Sequence, residues 1–197
     1  MLGAKISVNS SDGSIVFFDV PVDKDGTKSI ELPKTGNYTV KISADGFIDN
    51  IIQNAFDEDI DIFVALSPEL LPEETRIILT WDENPKDLDI FVMAVSKVSS
   101  TTCLTYYGQK NGCDEISLDL DNTNGGLNGA ETVTLLNNTI NKDYVYIIAI
   151  EDYHYTIGNT NGSDFLESWA TVRITNNVAD ETWGMVTYTL SSDSSKV

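Results

Sequence analysis

The stretch LTWDENPKDLDIFV, Leu79–Val92, decides how this chain is read, together with ISLDLDN at Ile116–Asn122 and GAETVTLL at Gly129–Leu136. Leu88, Ile90 and Val92 alternate with Asp87, Asp89 and Phe91. A period of two places the aliphatic residues on one face of a strand and Asp87 and Asp89 on the other. Ile116, Leu118 and Leu120 alternate in the same way with Asp119 and Asp121. No segment sustains a 3.6-residue period, so the expected class is all-β with helices short or absent.

Working outward, RIILTW, DLDIFVMAV, CLTYY, EISLDLD, ETVTLL, DYVYIIAIEDY, SWATVRI and WGMVTYTL follow one another between Asn/Gly/Asp loops. In YVYIIAI, Tyr144–Ile150, both faces are apolar, which predicts a central strand buried on both sides. Trp81, Trp169 and Trp183 are expected in the core. Cys103 and Cys113 flank the turn YYGQKNG, so they either close a strand-to-strand bridge in an oxidising compartment or remain two buried thiols.

Upstream, short strands are separated by turns at Asp12-Gly13, at DKDG (Asp23–Gly26), at Gly36-Asn37 and at Asp45-Gly46. DKDG opens like an EF-hand loop, but no Glu stands at the twelfth loop position, so it reads as a turn. TKSIELP, Thr27–Pro33, and IDIFVAL, Ile60–Leu66, are further expected strands. The segment SPELLPEET, Ser67–Thr75, has two prolines and three glutamates and is expected to form a short, semi-rigid linker. The organisation predicted is two tandem β-sandwich domains, residues 1–67 and 76–197, joined by a Pro/Glu linker at 68–75.

With 12 basic and 31 acidic residues the formal net charge is −19, which opposes binding to nucleic acid or anionic membranes. No apolar run approaches the roughly 18 residues of a membrane span. The N-terminal MLGAKISVNSSDG lacks the basic and apolar regions of a signal peptide, so the chain reads as a mature fragment or an intracellular protein. Sequons at Asn9, Asn37, Asn137 and Asn161 favour the first, as does the cysteine pair; the expected location is extracellular or at the cell surface.

Two resemblances add to this. LGAKISV and DGTKSIELPKTGNYTVKISADGFID resemble the carboxypeptidase regulatory-like module, a transthyretin-like β-sandwich, across residues 2–66. That resemblance implies a non-catalytic spacer or accessory module. Members carry another strand before the LGA segment, so an open slot is expected in the first sandwich, to be filled by a neighbouring chain's strand or by residues outside this sequence. LTWDENPKDLDIFV, Cys103 with Tyr106, LDLDNTNGGLNGAETV, YVYIIAIEDY and SWATVRI…WGMVTY resemble the YfaP-like β-sandwich domain across residues 76–190. Relatives tend to have GPE where this chain has GAE. This second resemblance implies an extracytoplasmic module of multidomain surface or secreted proteins, with no known reaction.

The carboxylates carry the one chemical expectation. If the two Asp-bearing strands are neighbours, Asp87, Asp89, Asp119 and Asp121 gather at one end of a sheet, where like charges need a counter-cation or wide exposure. Oxygen-only donors suit calcium before magnesium, and zinc hardly at all. Glu131 and the NTNGG carbonyls would complete the shell. The alternative is that Asp87 and Asp121 simply cap turns.

Catalysis is not expected. His154 is the one histidine, no G-x-S-x-G or Walker loop is present, and the clustered aspartates lack an apolar pocket in which one would act as an acid. Three functions compete. The first is a glycosylated structural subunit of a fibre, coat or matrix that polymerises with copies of itself by strand addition, the tail YTLSSDSSKV or the N-terminal MLGAK serving as the arm. The second is a calcium-dependent module binding a glycan or a cell-surface protein. The third is an accessory domain of a larger secreted enzyme.

Overall fold

The structure is a computed structural model that describes residues 3–126, 130–136, 143–156, 170–176 and 186–189. It is all-β: twelve strands in three antiparallel sheets, with one four-residue helical turn, Tyr153–Thr156, among the described residues. The chain divides into two compact units, Met1–Glu69 and Leu70–Val197.

The first unit holds β1 (Lys5–Ser10), β2 (Ile15–Pro21), β3 (Gly36–Ser43) and β4 (Asn50–Phe56) in one sheet of order β2-β1-β3-β4. Alternation places Val8, Tyr38 and Phe56 in its small core, with Ile6, Val16 and Val40 beside them. The Tyr38 hydroxyl donates to the Lys34 carbonyl at 2.9 Å, which satisfies the polar end of a buried ring. At DKDG, Gly26 N–H donates to Asp23 O and Thr27 N–H to the Asp25 carboxylate, each at 3.0 Å, and Gly26 takes the positive φ of 88° that this turn needs.

One expectation changes here. TKSIELP and IDIFVAL form no ladder; both run irregularly, and Ile30 and Leu32 lie against the single sheet where a second sheet of a sandwich was expected. A period-two pattern reports which side chains turn inward, but a strand also needs a neighbouring edge to pair with. In addition, β1 pairs with β2 on one side and β3 on the other, so among the described residues the edges of this sheet are β2 and β4.

The stretch read as a linker is shared between the units. Ser67 O accepts from Ile48 N–H at 2.8 Å and Glu69 N–H donates to Gly46 O at 3.1 Å, while Thr75 already opens the next strand. Between them the Glu74 carboxylate accepts from Leu71 N–H at 2.7 Å and pairs with Arg76.

In the second unit, β5 (Thr75–Thr80), β8 (Ile116–Leu120), β9 (Ala130–Leu135), β11 (Thr171–Asn176) and β12 (Val186–Thr189) form a sheet of order β12-β11-β5-β9-β8. A smaller sheet, β10-β6-β7, holds β6 (Leu88–Ser96), β7 (Thr102–Thr105) and β10 (Tyr144–Asp152). Leu79, Leu88, Ile90, Val92, Leu118, Val133 and Val172 come from both sheets into one core, so this unit is sandwich-like. Trp81 is buried in that core; Trp169 and Trp183 lie outside the described residues.

Among the described residues YVYIIAI is an edge strand, not a central one: β10 pairs there with β6 alone, and Val145 and Ile147 are 46% and 49% exposed. An apolar residue on each face does not by itself supply a layer to cover both.

Cys103 and Cys113 form a disulfide with a Cα–Cα distance of 5.2 Å. Cys103 lies on β7 opposite Ala94 and Cys113 bridges to Ile116, so the bond closes a loop spanning 10 residues. By loop-closure entropy this stabilises the fold by about 2–3 kcal/mol. The double variant Cys103→Ser/Cys113→Ser is expected to lose that amount in urea unfolding, and an unchanged midpoint would show the bridge to be dispensable.

Candidate cation site

Past Val92–Thr105, the last pair that β7 makes with β6, the Ile90 N–H has a side chain as its acceptor: it donates to Glu131 Oε2 at 2.8 Å. Glu131 lies on β9, on the same inward face as Val133 and Leu135, and is completely buried. A carboxylate thus holds a core position and bridges the two sheets. Its other oxygen accepts from Asn122 N–H at 3.4 Å. Two backbone donors favour the ionised form, but burial outweighs them, and with Asp89 and Asp121 nearby the Glu131 pKa rises to about 8.

Asp89 follows from alternation. With Leu88 and Ile90 in the core, its side chain takes the opposite face of β6, yet it is only 3% exposed. It stands directly opposite Glu151 on β10. Burial first, then the charges of Asp87, Asp121 and Glu151, raise its pKa to about 7. Asp87 is also buried and shifted upward, chiefly by desolvation, with His154 opposing the shift.

Asp121 reaches the site through a register change. Leu118 pairs with Val133 and Leu120 with Thr132, which leaves Asp119 as an extra residue in β8. Such a bulge inverts the alternation beyond it. Leu120 consequently turns outward, 48% exposed, and Asp121 joins Asp89 and Glu131. Asp119 does not: it accepts from Ser117 Oγ at 2.7 Å and from the Thr134 hydroxyl, on the side where Arg76 Nε donates to Thr134 Oγ1. The two Asp-bearing strands are not neighbours in one sheet but belong to different sheets.

One carboxylate oxygen each from Asp89, Asp121 and Glu131 lies within 4.8 Å of the others. A calcium ion with bonds of roughly 2.4 Å reaches oxygens up to about twice that distance apart, so one ion can touch all three. Asp89 Oδ2 and Asp87 Oδ1 are buried without a hydrogen-bond partner. A buried acceptor left in this way is costly, and costlier still when charged. An all-oxygen set with unused lone pairs is the chemistry of a hard divalent ion.

The NTNGG loop folds back over the same end. Gly126 N–H donates to Trp81 O and Asp82 O at 3.1 and 2.8 Å, and Asn124 N–H to Asn122 Oδ1 at 3.2 Å. A Cβ on Gly125 would come within 1.7 Å of Asp82 O, so the backbone approaches too closely for any other residue.

Sequence reasoning missed two neighbours of the site. Lys110 Nζ lies 2.7 Å from Asp121 Oδ2. A row of rings also runs beside Asp89: Phe91 stacks on Tyr106 at 5.3 Å, Tyr107 meets Tyr106 and Tyr153 edge-on at 5.2 and 5.7 Å, and Tyr153 meets His154 at 6.0 Å. The available signal was parity, since Phe91 shares a face with Asp89. Burial raises the Tyr107 phenol, with the Asp89 charge adding to it. His154 sits in the helical turn after β10, where Tyr153 N–H donates to Asp87 O at 3.1 Å. Of the sequons, Asn37 is exposed on β3, Asn9 is half-buried on β1, and Asn137 and Asn161 lie outside the described residues.

Comparison with known protein families, curated proteins and solved structures gave no match to this chain.

Proposed function

We propose that this chain is a non-catalytic structural or adhesive module of the extracytoplasmic space whose second unit binds calcium. The observation that carries the calcium reading is the Asp89–Asp121–Glu131 triad, with unpartnered buried oxygens on Asp89 and on the adjacent Asp87. Calcium is favoured over magnesium because several carboxylates converge in a buried place, whereas magnesium retains most of its water. No thiol or imidazole belongs to the triad, which argues against zinc. The Cys103–Cys113 bond suits an oxidising compartment, and the resemblances to accessory modules support a role without chemistry of its own. In this setting the exposed sequon at Asn37 is a candidate glycan attachment point. Thermal melts in EGTA and in millimolar calcium test the reading: a rise with calcium is expected, and superimposable melts remove it.

One observation favours a second reading, self-association into a larger assembly. Strand β2 is a free edge of the first unit's sheet and presents Ile15 and Phe18, 67% and 71% exposed. Sedimentation velocity should then show oligomers that Phe18→Lys disperses; a monomer at all concentrations excludes it.

A further inference from the structure

We infer that Lys110 is a tethered competitor for the cation, and that it sets both the affinity of the site and its preference for divalent ions. This rests on the calcium reading above. Among the described ion pairs, Lys110 is the cation that meets the carboxylate set, 2.7 Å from Asp121 Oδ2. Asp121 also has an oxygen within 4.8 Å of those of Asp89 and Glu131. An ion coordinated by all three carboxylates therefore draws on an oxygen pair that the ammonium already engages.

The placement is built into the fold. Lys110 lies within the loop closed by Cys103–Cys113, and its carbonyl accepts from Leu118 N–H at 2.8 Å, one residue before the bulge that turns Asp121 inward. The ammonium is thus held next to the site without being part of its interior; its side chain is 50% exposed while that of Asp121 is 21% exposed. A divalent ion gains about twice the Coulomb energy that a monovalent ion gains from the same carboxylates. Calcium can displace the tethered ammonium, whereas sodium or potassium, no more highly charged than Lys110, gains no such advantage. Lys110 then swings into solvent, which its long stem and half-exposed position allow.

Calcium titration of the full chain and of Lys110→Met and Lys110→Arg, followed by calorimetry at fixed ionic strength, tests this. Lys110→Met is expected to bind calcium about tenfold more tightly, since one opposing charge is removed at short range, and to become sensitive to competition by sodium. Lys110→Arg retains the charge and should stay within about twofold of the unmodified chain. Unchanged or weaker binding by Lys110→Met, with the unmodified chain binding normally, overturns the role of Lys110 alone. If the unmodified chain binds no calcium, the calcium reading fails and this inference fails with it.

Discussion

Replacing Glu131 by glutamine is expected to abolish stabilisation by calcium while leaving the cation-free fold within about 1 kcal/mol of the original. The amide oxygen retains the bond from Ile90 N–H, now made at 2.8 Å by a carboxylate oxygen, so the link between the sheets survives. The lost charge removes the acidic ligand of the triad most deeply buried in the core. At calcium a thousandfold above the dissociation constant, the stabilisation forgone is about 4 kcal/mol. Glu131→Ala differs in kind: it strands the Ile90 N–H and opens a cavity at a fully buried position, for a loss of about 3 kcal/mol even without calcium. Urea unfolding of both variants, with calcium and with EGTA, separates the two effects. A glutamine variant that keeps the whole calcium response would place the ion elsewhere.

The second large effect is on pH dependence. In the cation-free protein, stability should fall as pH rises from about 4.5 to about 8. The sign follows from the direction of the shifts. Asp89 and Glu131 titrate near 7 and 8 in the folded chain, above the values near 4 that they take when unfolded. Between those limits the folded state holds protons that the unfolded state has released, so the unfolding free energy decreases with pH. Their contribution is complete below the unfolded values and is lost through the folded ones. Because the two carboxyls influence each other, the joint effect is on the order of 5 kcal/mol, the size of one such shift, rather than the sum of two independent ones. Calcium should flatten the slope by taking the place of the protons, and binding at pH 7 should release protons into the buffer. Melting temperatures that rise steadily from pH 5 to 8 in EGTA would contradict the buried, unpartnered placement of these groups.

Much of the second unit was legible because period-two alternation reports directly on strands. RIILTW, DLDIFVMAV, EISLDLD and ETVTLL became β5, β6, β8 and β9 within a residue or two. The inward Leu88, Ile90 and Val92 and the inward Ile116 and Leu118 were read from the same pattern. The reading failed where a property belongs to neighbours and not to the strand itself. YVYIIAI carries no mark that it would stand at an edge, and TKSIELP none that it would find no ladder.

For the site, the residue types and oxygen-only chemistry could be read from the chain, and the membership could not. A single extra residue at Asp119 inverted the parity of β8 beyond it, so Asp119 stayed on the outer face with Ser117 and Thr134 while Leu120 turned out and Asp121 turned in. No local pattern announces a bulge, because it depends on how β8 registers against β9. Local sequence determined that this chain makes strands, where they turn, and which carboxylates are available to a cation. The packing of one sheet on another decided that Glu131 would face Ile90, that Asp89 would lose its water, and that Lys110 would stand beside Asp121. Alternation is a property of one strand, whereas burial and charge proximity belong to pairs of strands that the sequence does not name.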